Sequence, residues 1–479
     1  MKIFILVAAV ILLVSCASLP PRQDVKVDID VPQAWAAGDS AVKDTTLISM
    51  KWWREFKNPQ LDQIIDEAFE KNANLAMAAA NMAAAMAQAK MAGAPLYPSL
   101  GAGMDAARRK QNFIGLPFPG LGDDVLSSTS STFGVSMNLS WELDLWGRLR
   151  AEGSQAGANF QAAQADYAGA RLSLAGQATK AWIAALIAER QVELAKATFE
   201  NWTLATDQVN QRYRSGLTGS LQYRLSLANL GLAEANFHNR VMQQENALRQ
   251  LELLLKRYPS ATMDLKGDVP AITGDVPAGL PAFLVSRRPD LVAAERRLAA
   301  SNMGIKAARR ALYPKISLTS AAGTSSNELK DLIDGEFGVW SLAGNIMQPL
   351  FQGGLLRANV NLSEAQADMA LADYENTLLN ALAEVESALA NDKHVAANEQ
   401  ALEKAAEQSL AARQLAEMQY QRGVVGFLTM LESARSAFDT ESRHLDAKRA
   451  RLNARVDLYL ALGGGFEIDS NYAISQHNE

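Results

Sequence analysis

Proline placement constrains this chain more than any other feature. All 15 prolines lie in the N-terminal region up to Pro119, between Pro259 and Pro314, or at Pro349. None falls between Gly120 and Tyr258 or after Pro349. Proline breaks a helix interior because it lacks the donor and its ring clashes with the preceding turn. Two long tracts are therefore free to be helical throughout. Residues 149–214 and 355–421 are rich in alanine and carry the helix formers Gln, Glu, Lys and Leu. At 1.5 Å per residue, a helix of about 65 residues is roughly 100 Å long, far beyond the span of a compact globular domain.

The two tracts are copies of one another. Leu149-Arg150-Ala151 matches Leu356-Arg357-Ala358, an offset of 207 residues. The same offset pairs Tyr167 with Tyr374, Tyr213 with Tyr420, Ser226 with Ser433 and Leu255 with Leu462. It also pairs Gly216 with Gly423 and Gly219 with Gly426, with no gap over more than a hundred residues. The chain thus reads as an internal duplication. In each copy the paired glycines read as a turn that closes one long helix and starts another. Each copy then holds a helical hairpin, with return arms near 220–256 and 427–462.

Within each copy the apolar period is seven: Ala151, Ala158, Ala165 and Leu172 in the first, Ala358, Ala365, Ala372 and Leu379 in the second. A 3.5-residue period packs helices as a coiled coil, a feature a plain soluble rod would share. Residues 73–94 are rich in Ala and Met but carry Asn74, Asn81, Gln88 and Lys90, so they read as an amphipathic helix and not a membrane span. That helix is expected to start at Asn58-Pro59, an N-cap followed by proline at the first helical position. Met77, Met82, Met86 and Met91 are read as gap-filling apolar side chains in preference to a copper site.

From Thr132 to Leu145 every second residue is apolar: Phe133, Val135, Met137, Leu139, Trp141, Leu143 and Leu145. Thr132, Gly134, Ser136, Asn138, Ser140, Glu142 and Asp144 alternate with them. Such alternation predicts a β-strand. It matches a membrane-barrel strand, apolar towards lipid and polar towards the lumen; a soluble periplasmic sheet is the alternative. On the barrel reading Phe133, Val135, Met137, Leu139 and Leu143 face lipid, and Ser136, Asn138 and Ser140 face the lumen. Residues 96–108 alternate too, with a long loop expected over 110–131. In the second copy 316–322 and 337–350 are the equivalent strands, joined by 323–336. Four strands cannot close a barrel that needs about eight or more, and open edges are forbidden in lipid. Strands that span the membrane would therefore require an oligomer.

At the N-terminus Lys2 precedes an apolar run, Ile3 to Val14, and then Ser15-Cys16. This is the pattern of a bacterial export signal, too short to span a bilayer. Leu13-Val14-Ser15-Cys16 resembles the lipobox of bacterial lipoproteins, which implies cleavage before Cys16 and its acylation. An ordinary signal peptide with an incidental thiol is the alternative. Cys16 is the single cysteine, so an intramolecular disulfide and a Cys-rich metal site are both excluded. The four histidines, His238, His394, His444 and His477, are scattered, leaving little material for metal or triad chemistry. A net charge of -6 offers no concentrated basic surface for nucleic acid. There is no Gly-x-Ser-x-Gly, His-Glu-x-x-His or P-loop. No enzymatic activity, cofactor or metal is expected.

An ordered set of segments carries a family resemblance. Trp52-Trp53-Arg54-Glu55-Phe56, Asn58-Pro59-Gln60-Leu61 and Leu96-Tyr97-Pro98 come first. Trp141-Glu142-Leu143-Asp144-Leu145-Trp146-Gly147-Arg148 and Ser286-Arg287-Arg288-Pro289-Asp290-Leu291 follow. Tyr313-Pro314-Lys315-Ile316-Ser317-Leu318 and Leu462-Gly463-Gly464-Gly465 complete it. Together they resemble the lipoprotein branch of the TolC/OprM outer-membrane efflux channels. The resemblance implies a homotrimer, with a twelve-stranded β-barrel in the outer membrane and a twelve-helix periplasmic α-barrel. It implies docking through a periplasmic adaptor protein to an inner-membrane transporter, expected to be proton-driven, and passive export of drugs or other small toxic compounds. A type I protein-secretion duct and a lipid-anchored structural coiled coil are the rival readings. It also implies a periplasmic gate, with Leu428 supplying a hydrophobic ring and Glu432, where Asp is usual, an acidic one. The first copy has Leu221 and Leu225 there.

The expected fold class is an α+β membrane protein with long antiparallel helical hairpins and four barrel strands per chain. Its parts are a signal peptide with lipobox at 1–16, an N-terminal segment with the first periplasmic helix at 17–95, and a first β-hairpin at 96–145. A first helical hairpin at 146–256, a Pro-rich equatorial linker and helix at 257–311 and a second β-hairpin at 312–350 follow. A second helical hairpin at 351–462 and an equatorial C-terminal segment at 463–479 end the chain.

Overall fold

A computed structural model describes residues 19–21, 32, 34–37, 49–114, 126–272, 274, 276 and 284–464. The signal peptide with Cys16, the Gly/Pro-rich piece at 115–122 and the tail beyond 464 lie outside these residues. The described elements in chain order are α1 (Pro59–Lys71), α2 (Ala73–Gly93), β1 (Ser99–Phe113), β2 (Leu126–Glu142), α3 (Arg148–Arg214) and α4 (Ser220–Leu254). Then come α5 (Pro289–Arg310), β3 (Lys315–Ser326), β4 (Gly338–Met347), α6 (Leu355–Gln421) and α7 (Phe427–Ala461).

The proline-free tracts are helical over nearly the residues the sequence marks. α3 and α6 have 67 residues each, and α4 and α7 have 35 each. The expected helix start at Asn58 holds: its side chain accepts from the backbone N–H groups of Gln60 and Leu61, and Pro59 follows. The single helix expected from there to residue 94 is two helices. Asn72 adopts an extended backbone and caps α2, its Oδ1 accepting from the N–H groups of Asn74 (3.0 Å) and Leu75 (3.1 Å). Its amide donates to the Leu254 carbonyl at 3.0 Å. A buried Asn that satisfies two backbone donors and a carbonyl competes successfully with helix continuation.

The chain divides into two compact units. One comprises residues 1–25, 83–162 and 295–373 and is built on a four-stranded antiparallel sheet in the order β1-β2-β3-β4. Strand boundaries depart from expectation at several points. Leu96 belongs to the 3-10 turn Ala94–Leu96, and the strand starts at Ser99. β1 and β2 extend into the stretch expected as loop, pairing Arg108 with Ser131 through to Phe113 with Leu126. The ladder is made by backbone groups, so a Ser/Thr run continues it as well as an apolar one. β3 likewise runs to Ser326, and the connection to β4 holds two short 3-10 turns, Leu329–Asp331 and Gly335–Phe337. β4 stops at Met347, two residues before Pro349, which has no ladder donor.

The other unit comprises residues 26–82, 163–294 and 374–479. Its core joins Trp52, Trp53 and Phe56 of a 3-10 turn to Leu61 and Ile65 of α1, Trp182 and Ile183 of α3, Leu251 and Leu255, and Tyr459 of α7. Trp52 stacks on Tyr459 with ring centroids 5.2 Å apart. The Tyr459 hydroxyl bonds the Glu55 carboxylate, and burial holds that phenol above the usual tyrosine range. This aromatic contact joins an N-terminal turn to the C-terminal helix α7.

The ladder makes one position intolerant of any side chain. A Cβ on Gly323 would lie 2.0 Å from the Val135 carbonyl oxygen and 2.8 Å from Ser136 Cα, while one on Gly101 meets nothing within 4 Å. Gly323→Ala is expected to part β2 from β3 and reduce assembly in the membrane, and Gly101→Ala is expected to leave it intact. Semi-native gel electrophoresis of membrane extracts measures this; equal assembly of both variants would contradict the register.

Candidate functional site

The sheet has two chemically distinct faces, fixed by its register. On β2, Phe133, Val135, Met137, Leu139 and Trp141 share one face. Opposite them stand Ala106, Met104, Ala102 and Leu100 of β1. Ala322 and Leu318 of β3 continue that face, and Trp340, Leu342 and Ile346 of β4 complete it. Ser320, Thr324 and Ser326 of β3 interrupt it, and Gly344 of β4 leaves a gap between Leu342 and Ile346. Leu100, Met104, Met137, Trp340, Leu342 and Ile346 are all exposed in the chain, a broad apolar surface of the kind that meets lipid or a partner. The reverse face carries Gly101, Gly103 and Asp105 on β1, and Gly134, Ser136, Asn138 and Ser140 on β2. Ser317, Thr319 and Asn345 extend it across β3 and β4. Leu143, expected within the strand, lies one residue past its end, although its N–H still donates to the Ile316 carbonyl at 2.9 Å.

Aromatic residues collect where the strands meet the helices. Trp146 stacks on Tyr313 with centroids 5.3 Å apart and donates its indole N–H to the Pro314 carbonyl at 2.8 Å. Both are exposed, as is Tyr97. The strand-to-helix joint beside them is a set of charge contacts that the sequence pattern alone did not reveal. Asp144 accepts from the N–H groups of Leu149 (3.0 Å) and Arg150 (2.9 Å), capping α3. Arg148 reaches Glu142 at 2.7 Å and Glu152 at 2.6 Å. The segment Glu142 to Arg148, singled out as a motif, is thus a built corner.

The two glycine turns form as expected. Gly216 and Gly423 have φ of +73° and +74°, the left-handed conformation that glycine adopts without strain. Leu217 N–H donates to Arg212 O, and Val424 N–H to Gln419 O, each at 2.9 Å. These six-to-one bonds satisfy helix-end carbonyls. Gly219 and Gly426 are extended and precede the return helices α4 and α7 as their N-caps.

The first turns of α7 are two-sided. Phe427, Met430, Leu431 and Ala434 are buried against Trp202, Val209 and Ala233. Leu428 and Glu432, four residues apart, lie exposed. The alternative pairing of Glu432 with Arg435 is not formed among the described residues. In the first copy Leu221 is exposed, whereas Leu225 packs against the same apolar cluster. The acidic side chain therefore projects from the second copy alone. Among the described residues no group of three His, Cys, Asp or Glu side chains is placed to hold a metal, and no helix is long and apolar enough to cross a membrane.

The family model described as "Outer membrane efflux protein" matches residues 64–255 and 280–464. The chain is 31% identical over 470 residues to the pyoverdine export outer membrane protein OpmQ of Pseudomonas putida, covering 96% of each chain. It is 32% identical to the outer membrane protein OprJ of Pseudomonas aeruginosa, with 91% of each covered. Its fold superposes on the CmeC outer membrane channel of Campylobacter jejuni with a TM-score of 0.86 at 25% identity, covering 95% of this chain and 97% of that one.

The two-faced register predicts an unequal response to charge. Val135→Arg or Met137→Arg puts a cation on the apolar face, at a cost of ~2–4 kcal/mol near the bilayer midplane, and should lower the yield of assembled protein. Asn138→Arg, on the polar face, should assemble normally. Quantifying heat-modifiable oligomer in isolated outer membranes decides it, and the reverse order of damage would mean the faces are assigned the wrong way round.

Proposed function

The chain belongs to the outer membrane efflux protein family, and from that premise we propose how its parts build the conduit. It is the outer-membrane exit channel of an efflux pump. The observation that carries the structural reading is the sheet, with one face apolar, one face polar, and β1 and β4 left as unpaired edges. Closing those edges on one another in three copies gives twelve strands, with Phe133, Val135, Met137 and Leu139 towards lipid and Ser136, Asn138 and Ser140 towards the lumen. Leu143 then sits at the inner interface. The equal lengths of α3 and α6, and of α4 and α7, support an origin by duplication. Three copies of these hairpins would form the periplasmic α-barrel, with the Trp52–Tyr459 core serving as an equatorial domain.

Exposed Leu217 and Val424 stand at the two helix turns, equivalent apolar tips that suit a periplasmic adaptor. Through it the channel would receive cargo from an inner-membrane transporter, driven by protons in this reading. OpmQ by name exports pyoverdine, and the efflux reading is kept over protein secretion.

Acylation of Cys16 would tether the chain to the outer membrane. Leu19 packs over Gly157, and Arg296 donates to the carbonyl of Pro20 at 2.9 Å and of Pro21 at 3.2 Å. Four residues reach at most about 14 Å, so the lipid would be held close to the sheet's own unit. Cys16→Ser is expected to abolish incorporation of a palmitate analogue in metabolic labelling; equal label on the variant and the wild type would remove the anchor.

At the inner end, Leu428 and Glu432 would form stacked rings around the three-fold axis. Three carboxylates crowded on one axis favour cation entry. In planar bilayers Leu428→Gly should raise single-channel conductance and Glu432→Ala should lower cation selectivity. Currents indistinguishable from wild type in both variants would take these residues out of the gate.

A further inference from the structure

We propose that the end of the apolar sheet face remote from the helices binds the phosphate groups of lipopolysaccharide, the phosphorylated glycolipid of the outer leaflet. This surface presupposes the lipid-facing register proposed above. On β1 that face carries Leu100, Ala102, Met104 and Ala106, and the next two residues on the same face are Arg108 and Lys110. Directly opposite them on β2 stand the hydroxyls of Ser131 and Thr129. Both cations are exposed, and neither has an ion pair among the described residues. Two unpaired cations flanked by hydroxyls, at the end of a largely apolar face, call for a counterion that approaches from the lipid side.

Depth identifies that counterion. β1 is entered from α2 and β2 leads into α3, so the Tyr97 end of the sheet is the helix end. There Tyr97, Trp146 and Tyr313 form an exposed aromatic cluster, the residue type of a membrane interface. From Tyr97 to Arg108 the chain advances about 36 Å at ~3.3 Å per residue. At a strand tilt of about 40° this is roughly 28 Å along the membrane normal, against an apolar band of about 25 Å. Arg108 thus emerges where hydrocarbon ends on the outer side. An arginine facing acyl chains would be destabilising, whereas at the headgroup level its planar fork can hold a phosphate by two hydrogen bonds, with Lys110 as a second point charge. Acyl chains of the same molecule would lie along Met104 and Met137, one register pair from each other. Arg109 lies on the reverse face with Asp105 and takes no part.

The rival occupant is the acidic β3–β4 connection of a neighbouring copy, which carries Glu328, Asp331, Asp334 and Glu336. The test is thermal dissociation of the purified full-length oligomer in detergent, with and without lipopolysaccharide, dephosphorylated lipopolysaccharide or phosphatidylglycerol. The wild type should dissociate at a higher temperature with lipopolysaccharide and shift much less with the other two lipids. Arg108→Ala combined with Lys110→Ala should lose most of that shift while keeping the lipid-free midpoint; Arg109→Ala, a charge change on the other face, should keep both. An unshifted wild type, a double variant with the full shift, or equal loss in Arg109→Ala would overturn the proposal. So would a double variant that falls apart without lipid, which would assign the cations to the neighbour's acidic connection. Normal assembly of Val135→Arg and Met137→Arg would instead sink the register beneath it. Damage from those two with an unchanged response in the double variant would sink the lipid site alone.

Discussion

A strand edge exposes a row of N–H and C=O groups, and hydrocarbon contains nothing to satisfy them. This chain makes one sheet with two such edges, β1 and β4. An outer-membrane protein built on it is stable only if those edges find each other, and four strands are too few to do so within one chain. Assembly is then not a refinement of the fold but the condition under which the sheet can enter a membrane. The same condition would sort the side chains: on the closed barrel proposed above, the face with Val135 and Met137 would turn to lipid and the glycine- and serine-rich face would enclose the lumen. Gly101, Gly103, Gly134 and Gly323 share the polar face, where small residues would leave a lumen open.

The two halves match in length yet differ in what binds their helices together. In the second hairpin Arg455 reaches Asp392 at 3.1 Å, and Arg451 pairs with Glu399. One offset earlier these positions are Leu248, Ala185, Gln244 and Val192. Where the second hairpin has the Arg455–Asp392 ion pair, the first has the buried apolar side chains Leu248 and Ala185. Such pairs add little net stability against desolvation but fix one geometry. The second hairpin also carries Glu432.

Much of the fold was legible because its determinants are local. Proline-free alanine-rich tracts with a glycine at each end give helix bounds to within a residue or two, and Gly216 and Gly423 take the left-handed backbone that only such a turn requires. The break at Asn72 was hidden, since an Asn in an Ala/Met-rich stretch looks like one more polar helix position; its capping role depends on the Leu254 carbonyl, which is distant in sequence. The strand extensions into 110–131 were hidden because Ser and Thr signal loop by composition while pairing as well as any residue in a ladder. The Arg148 and Asp144 corner and the Arg296 hold on Pro20 join segments that no periodicity connects. For the site, the alternation in β2 gave the faces directly. Leu428 and Glu432 were found through resemblance, and a single chain brings only their common exposed side together.

The edge constraint is tested most directly by counting chains. Native mass spectrometry of the full-length protein extracted from the outer membrane in mild detergent should give one species of three copies, because three four-stranded sheets make twelve strands and leave no edge. A folded single-chain species as the dominant form, with both edges unpaired, would contradict the account.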